Sequence, residues 1–333
     1  MTPPYSSPAD PCRIVLAPMQ GLADPPMREL LTHIGGFDEC VSEFVRITHT
    51  VHSRPVWLRA APELAAGAKT AAGVPCTVQL LGGDEAHMAA NALAAVRCGA
   101  KKIDLNFGCP SPTVNRHQGG AVLLREPERI YRIVRALRQA LPPHIPLSGK
   151  MRLGYEDTSL ALENARAITE GGACGLTVHA RTKLQGYDPP AHWEWIGKIA
   201  RSVPVPVTAN GDIFTPRDYL AMVAASGCTR VMIGRGAVMR PDLARRIKHG
   251  ANGGKDAEMG FEEIAGLMNP FIDLCLQYSD NEKYAVARLK QWLGMLKKAY
   301  PGAGLLFEEI RALREIAAIR PLLGRYGRTA EKP

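Results

Sequence analysis

The chain has 333 residues and a formal net charge of +9. That length excludes a minimal module and suits one large α/β domain plus a smaller one. The positive balance points to an anionic partner, with excess surface lysine for solubility as the plainer explanation. No uninterrupted apolar run approaches the ~18 residues of a membrane-spanning helix, and MTPPYSSPAD at the start has neither the basic region nor the apolar core of a secretory signal. A protein with no membrane association is expected, with residues 1–11 a flexible tail and the remainder folded.

Eight short apolar runs follow in chain order: Ile14–Met19, Cys40–Phe44, Cys76–Leu80, Lys102–Phe107, Pro146–Leu153, Gly175–Ala180, Val205–Asn210 and Arg230–Arg235. Helical patterns intervene, among them Glu85–Arg97, Pro127–Ala140, Ser159–Glu170 and Arg217–Ala225. Eight alternating βα units in about 240 residues predict a (β/α)8 TIM barrel over residues 12–250. A doubly wound open sheet is the competitor, but it usually has a GxGxxG turn after its first strand, where this chain reads APMQGLADPP. The Gly-rich polar stretch ANGGKDAE marks a domain boundary, and residues 251–333 are expected to form a smaller all-helical domain. There Ala285, Val286, Leu289, Trp292, Leu293 and Leu296 make one apolar stripe, flanked by Arg288 and Lys290. Leu306, Ile310 and Leu313 make another beside Arg311 and Arg314.

The stretch KKIDLNFGCPSPTVNRHQGG organises the chain. Ile103, Leu105 and Phe107 alternate with Asp104 and Asn106, so a strand runs into Gly108, Cys109 and Pro110. Cys109 should therefore stand on a polar loop past a strand's C-terminal end, where a substrate reaches it. The eight cysteines have no CxxC spacing and no zinc-ligand pairing with histidine, so no metal site is expected. Cys76, Cys174 and Cys228 lie among apolar neighbours and read as packed thiols of a reducing, cytoplasmic compartment. His117 shares the Cys109 loop and is kept in view; Trp193 and Trp195 are expected to pack.

Active sites of barrels gather at the strands' C-terminal ends. Those ends hold Pro18 and Met19, Glu43, Gln79, Asn106, Lys150 and Arg152, His179 and Arg181, Asn210 to Asp212, and Gly234 to Gly236. Glycines after the seventh and eighth strands let backbone approach a phosphate, although glycine also merely makes tight turns.

LAPMQG, VQLLG, DLNFGCPSPTVN, KMRLG, VHARTKLQGY, ANGDI and MIGRGA occur in that order from Leu16 to Ala237. Together they resemble the tRNA-dihydrouridine synthases. SEFVRI and the tail KYAVARLKQWLGMLKKAY look most like the bacterial C-type subfamily. The resemblance implies an FMN-binding barrel and a tRNA-binding helical domain. It also implies NADPH-driven reduction of the uracil carbon 5–carbon 6 double bond in a D-loop uridine, uridine-16 for the C-type, in a monomeric enzyme. Ala17, Pro18 and Met19 would line the flavin ring, Gln79 and Lys150 would meet its polar edge, and Asn106 would also bind the cofactor. His179, Asn210, Gly211, Asp212, Gly234 and Arg235 would surround its phosphate end. Cys109 would be the general acid that protonates carbon 5, a role suited to a thiol with a pKa near ~8.5. Arg46, Asn106, Arg152, Arg288, Lys290, Arg311 and Arg314 would contact RNA. Two departures stand out: Pro112 where the family commonly has a lysine, and Gly149 where it has a bulkier residue. An FMN barrel acting on a small molecule and a non-catalytic tRNA-binding protein are the alternatives. Neither explains the flavin cup, Cys109 and the basic helical tail at once.

Overall fold

The computed structural model describes residues 12–251, 253–254 and 257–327; the expected tail over residues 1–11 lies outside them. Contacts divide the chain into two compact units. One contains the segment ending at Asp24 with Phe37–Ile213 and Arg217–Gly234; the other contains Pro25–Gly36, Phe214–Pro216 and everything from Arg235. The first unit thus ends at Gly234, ahead of the boundary expected at 250/251.

In the first unit eight parallel strands close on themselves. They are β1 Arg13–Leu16, β2 Glu39–Val41, β3 Cys76–Leu81, β4 Ile103–Phe107, β5 Leu147–Arg152, β6 Gly175–His179, β7 Val207–Asn210 and β8 Arg230–Ile233. Each pairs with the next, and β8 returns to β1 with Arg230 opposite Arg13. This is the (β/α)8 barrel that the eight apolar runs predict. The second strand is broken: the chain leaves β3 after Val41 and rejoins it at Val45–Arg46, opposite Leu80 and Leu81. Ser42 bridges the break, its N–H donating to the Thr77 carbonyl at 2.9 Å and its hydroxyl accepting the Gln79 N–H at 3.2 Å.

The alternation in β4 has a different meaning from that of a half-solvated strand. Ile103, Leu105 and Phe107 are buried, and so is Asp104. Gln79, Asp104 and Ser148 stand at one level of three neighbouring strands and hydrogen-bond to one another. The polar side of β4 therefore shares one face of the sheet with the polar residues of its neighbours, and the apolar side is covered as well. Gly149 on β5 also finds its reason. A Cβ there would come within 2.8 Å of Ile168 Cγ2, on the helix Ala161–Glu170, so the bare backbone is what lets that helix pack close. The helix Pro127–Ala140 buries Ile130, Ile133, Val134 and Leu137 as a single stripe.

The second unit is helical. Pro25–Ile34 packs on Met268–Tyr278, which in turn meets Glu282–Leu296. Phe271 sits edge-on to Trp292 at 5.0 Å, and the Trp292 indole donates to the Val238 carbonyl at 3.2 Å. The predicted stripe from Ala285 to Leu296 is buried, but Arg288 is buried with it, which its expected place beside the stripe did not allow. Leu313 falls beyond the helix Pro301–Ile310. Cys174 is exposed, contrary to its expected packing, because it precedes β6 instead of lying within it; Cys76 and Cys228 are buried. Among the described residues no helix is long and apolar enough to cross a membrane.

Candidate active site at the strand ends

Cys109 follows β4 by two residues and is held by its backbone from both sides. Its N–H donates to Asn106 Oδ1 at 2.8 Å, and its carbonyl accepts from the Ala121 N–H and from Asn115 Nδ2, each at 3.0 Å. Gly120 presses on it from the far end of the loop: with φ at +68° it adopts a conformation that disfavours side chains, and a Cβ would lie 3.0 Å from that of Cys109. Gly120 is the second of the Gly pair that ends this polar stretch. Between them the chain forms a short helix, Pro112–Arg116, with Pro112 in its first turn, where a missing N–H costs nothing. His117 caps that helix and is exposed. Partial burial pushes the Cys109 thiol up, and the Ser111 N–H, Arg152 and Lys150 offset this only in part. That direction favours the protonated thiol at neutral pH.

Lys150 stands on β5 directly opposite Asn106, half-buried. Its Nζ donates to Asn210 Oδ1 at 3.2 Å, and among the described residues no carboxylate lies within ion-pair distance. Burial first, then repulsion from Arg152, lower its pKa to about 8; Asp104 and Cys109 act in the opposite sense. Asn210 is itself fixed, donating to the Met232 carbonyl at 2.8 Å.

Arg152, two residues on, is buried. Its Nε donates to the Gly108 carbonyl at 2.9 Å, and one terminal nitrogen donates to the carbonyls of Thr182 and Gly186 at 3.0 and 2.8 Å. It thereby ties the Cys109 loop to the loop after β6, whose exposed Tyr187 covers the guanidinium at 5.2 Å and lies 6.0 Å from the His179 ring.

After β7 the chain turns through Asn210, Gly211 and Asp212, the last two at φ +130° and +53°. Asp212 pairs two-pronged with the fully buried Arg181. Trp193 donates its indole N–H to the Gly211 carbonyl at 2.9 Å, which gives the packing expected of it a specific purpose. His179 and Gly211 adjoin, since a Cβ on Gly211 would approach the His179 ring to 3.4 Å. Across the mouth, Ala17 donates its N–H to Ile233, and Gly234 lies against Met19 and Ala17. Arg235 opens the second unit, its guanidinium over the Phe214 ring at 5.6 Å.

Strand ends thus bring together Met19, Gln79, Asn106, Cys109, Lys150, Arg152, His179 and Asn210. Arg46 lies on the short return of the second strand, half-exposed. Of the basic residues expected in the second unit, Arg311 and Arg314 are exposed, Arg311 pairing with Glu308 at 3.1 Å. Arg288 is buried, and Lys290 donates to the carbonyls of Arg311 and Leu313 at 3.0 and 2.5 Å. Sequence reasoning missed Asp104 and Ser148 entirely, and gave Arg181 and Tyr187 no role.

Residues 15–312 match the family described as dihydrouridine synthase (Dus). The chain belongs to the dihydrouridine synthase family. It is 62% identical over 321 residues to a tRNA-dihydrouridine(16) synthase of Neisseria meningitidis, covering 96% of each chain. A protein of the same name from Pseudomonas putida is 47% identical over 312 residues, 94% of this chain and 96% of the other. One from Shewanella oneidensis is 44% identical over 305 residues, 90% and 93% respectively. The chain is accordingly an enzyme of the dihydrouridine synthase family, and the seven sequence motifs from Leu16 to Ala237 lie within the matched span.

Proposed function

We propose that this enzyme reduces the carbon 5–carbon 6 double bond of uridine-16 in the D-loop of tRNA, with FMN as its cofactor, NADPH as the electron source, and a cytoplasmic location. The observation that carries the reading is the placement of a half-buried Cys109, its thiol pushed up by burial, just past β4 and of Lys150 on the neighbouring β5.

The residues present fit a flavin mononucleotide. A Cβ on Gly211 would press on Ala191 at 3.2 Å and one on Gly234 on Met19 at 3.1 Å, so both turns keep the bare backbone that a phosphate would use. Lys150 keeps donors in hand, and the Gln79 amide stands one strand from Asn106. Ala17, Pro18 and Met19 would take the ring, Lys150 its polar edge, and His179, Asn210 and Gly211 the phosphate end; Gln79, expected at that edge, is fully buried with its amide bonded to Asp104 and Asn106, and so supports the site from within the barrel. When bound, the flavin supplies the hydride that adds to carbon 6 of the base.

The chain's own residues do the rest. Cys109 delivers the proton to carbon 5 of the resulting enolate, and its raised pKa keeps that proton available at neutral pH. Arg152 and Asn106 hold the acid's loop against the strand ends. Asp212 is neutralised by Arg181, so the carboxylate does not repel an anion at the adjacent backbone. The target base must be drawn out of the tRNA stack, at a cost of a few kcal/mol, and recognition rests on phosphates and shape.

The test is the Cys109→Ala variant, given unmodified tRNA and NADPH. Flavin loading and NADPH oxidation should persist, while dihydrouridine at position 16, read by mass mapping, falls by about 10²–10⁴-fold. A wild-type yield from Cys109→Ala would remove the thiol from the reaction; modification at another uridine would overturn the assignment of position.

A further inference from the structure

The barrel interior contains a polar chain that runs from Asn106 through Gln79 to Asp104 and Ser148, the last two unused by the proposed reaction, and its two amides have only one consistent orientation. Its upper end is fixed by two backbone N–H groups, those of Gly108 and Cys109, which lie 3.0 and 2.8 Å from one atom of the Asn106 amide. Backbone N–H groups only donate, so that atom is the oxygen. The Asn106 nitrogen then faces Gln79, 2.8 Å away, and must meet the Gln79 oxygen. The Gln79 nitrogen is left facing Asp104 Oδ2 at 2.8 Å, which must accept. The other Asp104 oxygen accepts from the Ser148 hydroxyl at 2.6 Å. Reversing either amide makes donor meet donor.

We propose that Asp104 is a positioning residue for Cys109, acting through Gln79 and Asn106 by supplying the acceptor at which the chain of hydrogen bonds ends. Three observations bear on this. Asp104 is buried at 3% exposure, and Gln79 is fully buried, so water does not substitute for a lost partner. Gln79, Asp104 and Ser148 are register neighbours on β3, β4 and β5, so their spacing is set by the sheet itself. The nearby Lys102 is engaged at 2.7 Å by Glu39, which leaves the buried Asp104 carboxylate to the two neutral donors. Burial raises its pKa. A protonated Asp104 would still serve, provided its O–H pointed to Ser148, because only the oxygen toward Gln79 has to accept.

A directed chain and a merely structural contact respond differently to substitution. Asp104→Asn should preserve the chain, its oxygen facing Gln79 and its amide nitrogen facing the Ser148 oxygen. Asp104→Leu should break it. Asn106→Asp also breaks it, because two carboxylates then compete for the single amide nitrogen of Gln79. Combining Asn106→Asp with Asp104→Asn repairs it in reverse: Gln79 turns over, its nitrogen meeting the carboxylate introduced at position 106 and its oxygen meeting the amide introduced at position 104.

The experiment uses flavin-free full-length protein and iodoacetamide, with alkylation of Cys109 followed by peptide mass mapping and the exposed Cys174 as internal reference. Asn106→Asp and Asp104→Leu should each speed alkylation of Cys109 about five- to tenfold, as residue 106 is no longer oriented by Gln79 and its hold on the loop loosens. Asp104→Asn and the Asn106→Asp/Asp104→Asn double variant should return to within about twofold of the parent. A double variant as fast as Asn106→Asp overturns the proposal, and so does Asp104→Asn matching Asp104→Leu, or no change in Asn106→Asp. The inference rests on the reading of Cys109 as the acid only for its use in catalysis. Alkylation tests the relay whether or not that reading holds, and dihydrouridine yields from Asp104→Leu and Asp104→Asn test the use separately.

Discussion

Lys150 gives up its proton at about 8 because its ammonium stands among protein atoms and beside Arg152. The folded-state pKa lies below the unfolded value of 10.5, so folding disfavours the charged form. The unfavourable contribution is fully present below pH 8 and fades as pH rises from 8 to 10.5, where the unfolded chain binds more protons than the folded one. Lys150→Met should therefore stabilise the flavin-free enzyme at pH 7, with the advantage shrinking above pH 8; urea midpoints at pH 7, 8 and 9 measure it. An advantage that does not change with pH would mean that the lysine is not strained. The same titration predicts that FMN affinity is level below pH 8 and weakens above it, by at most about tenfold per unit, in the parent and not in Lys150→Met. Cys109 was legible in the sequence because it follows an apolar run at a glycine-marked turn, and Lys150 because it is a cation inside the apolar run that Gly154 closes. Asp104 was not, although it lies in the strand that leads directly to Cys109. Alternation says which residues share a face, but not that the polar face of β4 meets its polar neighbours on β3 and β5. Arg152 was misjudged for a related reason: a charged residue at a strand end reads as available, and only the positions of Gly108, Thr182 and Gly186 reveal three carbonyls taking its hydrogen bonds.

At the scale of elements, β5 and the helix Ala161–Glu170 depend on one missing side chain. Gly149→Val would place methyl groups where Ile168 Cγ2 already lies within 2.8 Å of a bare Cβ. Overpacking of that kind costs about 1–3 kcal/mol, and Gly149→Val combined with Ile168→Ala should recover part of the loss. Urea unfolding of the single and double variants measures both; equal stability of the two would disconnect the glycine from the helix. All eight strands were legible as apolar runs, and four intervening helices as amphipathic patterns. The break in β2 was not, because Cys40–Phe44 reads as one continuous run and only the pairing with β3 shows it leaving and returning. The helix Pro112–Arg116 reads in the sequence as polar loop, since five residues are too few for a periodic signal.

For the molecule as a whole, the net charge of +9 belongs with the proposed tRNA substrate. Arg311 and Arg314 are the exposed members of the basic set in the second unit, and the proposed phosphate contacts pass to them. Arg311→Ala and Arg314→Ala should each lower the slope of log affinity against log salt by about one and weaken all tRNAs alike. Arg288→Ala, at a buried position, should lower the melting temperature and leave the slope alone. Filter binding across a salt series distinguishes these, and unchanged slopes for both exposed arginines would take the RNA path elsewhere. The helix Pro25–Ile34 carries a further consequence. It is made near the start of synthesis, yet Met268–Tyr278, on which it packs, comes near the end. At about 5–20 residues per second, Met27, Leu30 and Leu31 spend roughly ten to fifty seconds on the ribosome before that partner emerges. A single crossover between two relatives, placed anywhere between the two helices, gives them different parents. Exchange of the C-terminal helices between relatives therefore requires the early helix to travel with them, as two insertions made together.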